Sequence, residues 1–355
     1  MSTGVVLLNF GEPSTAEREA VVDYLERIFY SNMDIEENPE MTEESARERA
    51  GKLAQRRAGS LIEEYGEIGG GSPLNEQAAG QADALAVELD NRGYDVETYT
   101  GMLYTEPFTH EAAEQAVADG HDEVLGLPIY PLCGPSTTNL SLDKLDEGLD
   151  AAGFDGEYHQ VSGWHKHPTY NRLRADNIRA YADEAGVDLQ DSDTELFFSA
   201  HGTPQYYLEE GSRYDRYVDE WCAGMAGMLG VEEYTLGFQN HDNRSDVLWT
   251  EPDIEAAIED VDADRVVVEP VSFMHEQSET LAELDIDLRE EAEEVGLEFH
   301  RVPIPHDDDR FPSVLADLAE PFLADFDPGY FQFRQCQCRD EPGTMCLNAP
   351  DPDWD

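Results

Sequence analysis

Positive charge is what this chain has least of. Of 355 residues only 22 are lysine or arginine, against 79 aspartates and glutamates, giving a formal net charge of −57 at neutral pH. Lysine occurs at Lys52, Lys144 and Lys166 and nowhere else. A surface of that sign repels nucleic acid and anionic lipid, so neither is expected as a partner. No apolar run approaches the ~18 residues needed to span a bilayer, so no transmembrane segment is expected. The amino terminus also lacks a basic stretch followed by an apolar one. Five cysteines is an odd and sparse set. It excludes a disulfide scaffold and fits a reducing, cytoplasmic setting.

What is present argues for a folded protein. Hydrophobic residues make up 40% and aromatics 10%, more than an acidic disordered chain carries. The charge instead suits a halophilic protein. At ~1 M salt the Debye length is roughly 3 Å, so repulsion among surface carboxylates is mostly screened. Most acidic residues are then solvated surface, and a carboxylate alone is weak grounds for function.

The chain alternates strand-like and helix-like segments. Gly4 to Phe10, Val96 to Met102 and Glu123 to Tyr130 read as buried strands, with helices near 75–90 and 109–118 between them. Ser14 and Glu17 have capping-box spacing at the start of a helix. Leu196 to His201, Tyr234 to Gln239 and Arg265 to Phe273 repeat the rhythm, with helices near 213–229 and 251–258. Such alternation predicts parallel sheets with right-handed crossovers. The halves also resemble each other: Leu7 to Pro13 parallels Phe198 to Pro204, and Leu125 to Pro131 parallels Val266 to Ser272. The expected fold is α/β with two lobes around a cleft. The first lobe spans 1–155 and is completed by a helix at 310–328, the second spans 156–309, and a cysteine-bearing tail covers 330–355.

Three clusters carry chemistry. His201 ends a buried strand just before Gly202 and Pro204, where open α/β sheets place their ligand crevices. Glu279, Glu283 and Asp287 follow another strand at i, i+4 and i+8, one file on a helix, with Glu276 as a fourth carboxylate. Like charges so spaced raise one another's pKa and attract a cation. A neutral imidazole facing such a file suits proton removal or handling of a divalent metal. Cys336, Cys338 and Cys346 put three thiols within eleven residues, which points to metal or Fe–S ligation, with Cys133 as the candidate fourth ligand. Cys222, among Met225 and Met228, reads as core. Gly69 to Pro73 lacks the preceding strand and the spacing of a phosphate loop. It reads as a tight turn allowing close backbone approach to a flat ligand, and no nucleotide is expected.

From about residue 4 to 325 the chain resembles the ferrochelatases, which insert Fe²⁺ into a free-base porphyrin in haem biosynthesis. The resemblance rests on Leu7 to Pro13, Arg56-Arg57 with Ile68 to Pro73, Tyr130-Pro131 with Ser136 to Thr138, Ser199 to Pro204, Pro270 to Phe273, and Glu279 to Glu283. It implies two Rossmann-like lobes flanking a porphyrin cleft, with porphyrin and ferrous iron as substrates and two protons lost. It implies His201 and Glu279 as paired catalytic and metal-site residues on opposite sides of the macrocycle. Glu283 and Asp287 become an acidic metal path leading outward. Phe10 falls at a ring-contacting position, and Arg27, Arg57, Ser72 and Tyr130 are candidates for porphyrin binding. Two departures stand out: Gln277 replaces a histidine common two residues before the glutamate, and Leu103 replaces a common arginine. The tail resembles that of members holding a [2Fe–2S] cluster, here through Cys133, Cys336, Cys338 and Cys346. Alternatives are a chelatase loading cobalt or nickel into another tetrapyrrole, or a non-catalytic haem or iron–sulfur carrier on the same scaffold.

Overall fold

The computed structural model describes residues 2–32, 42–239, 247–323, 334, 336 and 343–347. The strands are β1 (Thr3–Asn9), β2 (Glu97–Met102), β3 (Glu123–Pro128), β4 (Glu157–Gly163), β5 (Thr194–His201), β6 (Thr235–Gln239), β7 (Arg265–Pro270), β8 (Glu298–Arg301) and β9 (Thr344–Cys346). The helices are α1 (Arg18–Ser31), α2 (Glu43–Glu67), α3 (Leu74–Asn91), α4 (Thr109–Ala118), α5 (Leu140–Ala152), α6 (Pro168–Ala185), α7 (Gln205–Glu209), α8 (Tyr214–Leu229), α9 (Ile254–Glu259), α10 (Ser278–Leu281), α11 (Arg289–Glu294) and α12 (Phe311–Leu323). Two π-helical turns, Pro135–Asn139 and Glu283–Leu288, precede α5 and α11.

The strands form two sheets, ordered β2-β1-β3-β4-β9 and β6-β5-β7-β8, with every pairing parallel. Apart from β9, the two orders are the same, so the faint internal repeat in the sequence corresponds to a repeated topology. Strands buried on both faces must be apolar throughout, which is why β1 and β5 read as near-continuous hydrophobic runs. One hydrophobic cluster runs through both sheets, joining Leu7, Leu125 and Trp164 to Phe198, Trp221 and Val267. The lobes therefore share a core.

The boundary expected at residue 155 falls too early for the sheets, because β4 pairs with β3. Its polar, half-exposed first residues hid it from the hydrophobic pattern. Helix α12 packs on α3 and β3 of the first sheet. Its expected continuation to residue 328 lies outside the described residues. Strand β9 adds part of the tail to the edge of the first sheet beside β4. The capping box at Ser14 does not form. Helix α1 begins at Arg18 with no side-chain cap; backbone bonds from Ala16 to Gly70 and from Ser72 to Pro13 instead tie the bend at Ser14 and Thr15 to the glycine loop.

Candidate active site

Both sheets change direction next to their first strand: the chain goes from β1 to β2 on one side and to β3 on the other, and β5 does the same with β6 and β7. Ligands of open α/β sheets bind at such points, beyond the carboxyl ends of the strands. Here the two points face each other across a cleft of about 330 Å³. Asn9 ends β1 and Phe10 and Glu12 follow it, Tyr130 follows β3, His201 ends β5, and residues 271–275 and 277–279 follow β7; all line the cleft. In the internal repeat Phe10 and His201 are equivalent positions, one on each wall.

His201 Nδ1 lies 2.6 Å from the Gly202 carbonyl. A carbonyl only accepts, so Nδ1 carries a hydrogen and Nε2 is the nitrogen turned toward Glu279. Nε2 lies 3.0 Å from Glu279 Oε1, and the imidazole keeps 43% of its surface open to the cleft. Burial alone would lower the His201 pKa, but the Glu279 carboxylate and its hydrogen bond, with help from Gly202 and Glu283, raise it to about 9. Gln277 donates to the other Glu279 oxygen. The expected histidine is thus replaced by an amide that orients the carboxylate but cannot titrate.

This contact corrects one expectation. A flat ring between two groups needs roughly 7 Å, two van der Waals contacts of ~3.5 Å, and 3.0 Å leaves no such gap. His201 and Glu279 stand together, not roughly 7 Å apart.

Behind the pair stands Glu283. Its carboxylate accepts from Gln239 Nε2 at 3.1 Å, and the same amide donates to the Glu279 carbonyl at 3.1 Å. Burial, then the Glu279 charge, raise the Glu283 pKa to about 8. The file does not ride a regular α-helix. Asp287 N–H reaches back five residues to Ala282 in the π-helical segment, a wide turn that often marks functional sites. Asp287 emerges at the surface, outside the cleft lining. Glu64 of α2 lies near enough to raise both Glu283 and Asp287. Glu276 does not belong to the file. It pairs with Arg301 at 2.7 Å and accepts from Thr280 at 2.6 Å. Glu64 and Gln239 carried no sequence signal, because each comes from an element distant in the chain.

Of the residues expected at the ring, Phe10, Arg57 and Tyr130 line the cleft. Arg27 and Ser72 do not. The Arg27 guanidinium lies 4.9 Å over the Phe108 ring and donates to the Tyr104 carbonyl. Ser72 is buried behind Glu12, to which it hydrogen-bonds. Arg57 is paired with Glu64 at 2.7 Å. The glycine loop serves the chain itself: a Cβ on Gly71 would lie 2.2 Å from the Ser14 backbone. The close approach of Gly71 is to the backbone of Ser14 and Thr15. Tyr24, Tyr104, Tyr207, Tyr214 and Trp249 add an aromatic lining that the sequence did not single out. His275, also in the lining, is buried and its pKa falls to about 3, so it stays neutral.

Cys336 and Cys346 hydrogen-bond to each other at the edge of the first sheet, and Cys133 lies near enough to act on Cys346 electrostatically. Cys336 and Cys346 are buried, and neither they nor Cys133 forms a disulfide. The Cys346 thiol is pushed up by a hydrogen bond with Cys336, then by burial and by Cys133. Cys338 lies outside the described residues. Cys222 is buried in α8, as its neighbours indicated. Among the described residues, three ligand atoms within 4.8 Å of one another occur only at Glu123, Glu157 and His159, at the amino ends of β3 and β4 and away from the cleft.

The sequence model of the family described as Ferrochelatase matches residues 2–322. The chain is 37% identical over 332 residues to the ferrochelatase of Picosynechococcus sp., covering 90% of this chain and 82% of that one. It is 35% identical over 323 residues to the ferrochelatase of a Nostoc species, covering 89% and 81%. Two solved structures share the fold at a TM-score of 0.50. CbiX, the terminal enzyme of sirohaem biosynthesis in denitrifying bacteria, is 17% identical, with 90% of this chain and 100% of that chain covered. SirB from Bacillus subtilis with Fe³⁺ is 10% identical, with 91% and 96% covered. Among the described residues no helix is long and apolar enough to cross a membrane.

Proposed function

The chain belongs to the ferrochelatase family, and from that premise we propose that it inserts Fe²⁺ into a free-base porphyrin in haem biosynthesis through His201 and Glu279, working as a pair from one wall of the cleft. The observation that carries this reading is their 3.0 Å contact at the floor of an aromatic-lined cleft. Before substrate arrives the pair holds a proton. Fe²⁺ needs the Nε2 lone pair, so metal capture and proton release are linked. The two pyrrole protons then leave as the metal enters the ring, and with both acceptors on one side they depart by the same exit. Glu283, poised near 8, takes them in turn and passes them to Glu64, Asp287 and solvent. Iron is substrate here, and an imidazole–carboxylate pair without a thiolate holds it weakly enough to surrender it.

The sign of the pH dependence follows. Below about 9 His201 keeps its proton, and below about 8 Glu283 cannot take another. The kcat/KM for metal is therefore expected to rise from pH 6 to pH 9, by up to about tenfold per unit where a proton must be displaced. The assay is anaerobic Fe²⁺ insertion into protoporphyrin IX and into coproporphyrin III, in molar KCl. Dilute buffer should cost activity, because the surface carboxylates then repel one another unscreened. A flat or falling profile would remove the pair from its role. No insertion into either porphyrin, with Co²⁺ or Ni²⁺ accepted into another tetrapyrrole, would favour the sister chemistry.

The tail fits a [2Fe–2S] cluster held by Cys133, Cys336, Cys338 and Cys346. What supports this is the contact of two buried tail thiols, Cys336 and Cys346, with Cys133 of the loop after β3 close enough to act on Cys346, and no disulfide among them. Such a cluster, when bound, supplies a covalent tie between the tail and the loop after β3. Protein purified anaerobically from iron-replete cells should be coloured, and Cys346→Ser should bleach it. A colourless parent would refute the assignment.

A further inference from the structure

We propose that Glu12 is the positioning residue for Glu279: a carboxylate from the first lobe that fixes the first turn of the second-lobe helix carrying the metal-site glutamate. The inference rests on the reading that Glu279 presents the metal.

The sequence prepares the geometry. Gly11 has φ +80°, and a Cβ there would lie 2.4 Å from Thr105 Oγ1 and 2.8 Å from Met102 Cβ. Only glycine lets the chain turn so closely against β2, and the turn aims Glu12 across the gap between the lobes. Its backbone N–H donates to Asn75 Oδ1 at 3.0 Å, and Ser72 supports the carboxylate. Glu12 Oε2 accepts from the Ser278 backbone N–H at 3.1 Å, and Oε1 accepts from the Ser278 hydroxyl. Ser278 opens α10, and Glu279 is the next residue.

Helix α10 is the first turn of a helical segment that runs on through Glu283–Leu288 into α11, and the N–H groups of a first turn have no partner within the helix. What holds its first turn decides where Glu279 points. The same grip extends back along the loop from α3 of the first lobe. Gln77 accepts from Glu276 N–H at 2.8 Å, and Gln81 donates to the Met274 carbonyl at 3.0 Å. Glu12 is the member of this set nearest to Glu279. It is also 3% exposed, so water cannot replace its bonds to Ser278. Placing a second carboxylate so close to Glu279 is electrostatically unfavourable, and the two serine hydroxyls offset that cost. An apolar residue would avoid the repulsion but leave Ser278 unsatisfied.

The test compares Glu12→Ala, Glu12→Gln and Ser278→Ala with the parent by three measurements: metal kcat/KM, porphyrin affinity by fluorescence quenching, and the visible spectrum of Co²⁺ bound without porphyrin. Glu12→Ala should lower metal kcat/KM by about 10²-fold, the scale of an ångström-sized misplacement. It should weaken or shift the Co²⁺ bands and leave porphyrin affinity within about twofold. Glu12→Gln keeps an acceptor for Ser278 N–H and should recover most of the rate. Adding Ser278→Ala to Glu12→Ala should cost little more, since both act on one contact. The proposal fails if Glu12→Ala matches the parent in rate and Co²⁺ spectrum. It also fails if Glu12→Ala and Glu12→Gln are equally slow with porphyrin affinity lost, which marks a folding role. A parent that binds Co²⁺ but inserts no metal would instead count against the enzymatic reading, and the Co²⁺ spectra of the variants would still decide the role of Glu12.

Discussion

Replacing Glu279 with glutamine should lower the rate of Fe²⁺ insertion by about 10³-fold while porphyrin still binds. The substitution keeps size and hydrogen bonding but removes the charge that faces His201 Nε2 at 3.0 Å. Two effects then combine. The imidazole loses the largest influence raising its proton affinity, so its pKa falls from about 9 toward the lower value that burial favours. On the proposed role of the pair, the metal loses one of its two protein ligands. Loss of a positioned proton acceptor typically costs 10²–10⁴-fold, and a carboxamide is a poor ligand for a divalent ion. Because the aromatic lining of the cleft is untouched, the porphyrin Kd should change by no more than about threefold. Stopped-flow fluorescence separates the two steps. A variant that turns over within about tenfold of the parent would show that the chemistry lies elsewhere.

The second large effect concerns stability. Arg174 and Glu269 are both fully buried. The Arg174 Nε donates to Glu269 Oε1 at 2.8 Å, and its two terminal nitrogens donate to the carbonyls of Phe273 at 2.7 Å and Pro270 at 2.6 Å. The guanidinium thus ties β7 to the loop carrying Ser272, whose φ of +69° is unfavourable for a side-chain-bearing residue. Arg174→Met would strand a carboxyl group in the core and free two carbonyls. The expected cost is about 3–5 kcal/mol, read from urea unfolding in molar KCl. Adding Glu269→Met removes the stranded group and should recover part of that loss, though not the carbonyl bonds. A single variant within about 1 kcal/mol of the parent would mean that the pair is incidental to the fold.

Much of the architecture was readable in the chain. The strands β1, β5 and β7 are buried on both faces and so are continuously apolar, a pattern that survives without any structure. Strand β4 was missed because its first residues, Glu157 to His159, are polar and part-exposed at the sheet's amino edge. His201 was legible because a strand ending in His-Gly-Thr-Pro has few uses other than a crevice. Arg27 and Ser72 were misjudged because residue type and neighbourhood in sequence do not say which way a side chain turns. The one points its charge at Phe108 and the other supports Glu12. Glu12 looked like one more acid among 79, and only its burial against Ser278 sets it apart.

The sequence alone determined the fold class, the repeated lobes and the chemical kinds of group at the centre, because hydrophobic periodicity and strand-end motifs are local properties of the chain. The tertiary structure alone decided that His201 and Glu279 touch, that Glu64 and Gln239 act on Glu283 beside them, and that Gly71 packs on the chain itself. Each of those facts depends on segments tens to hundreds of residues apart meeting at particular angles, and burial, which sets both pKa and hydrogen-bond partners, exists only once they have met.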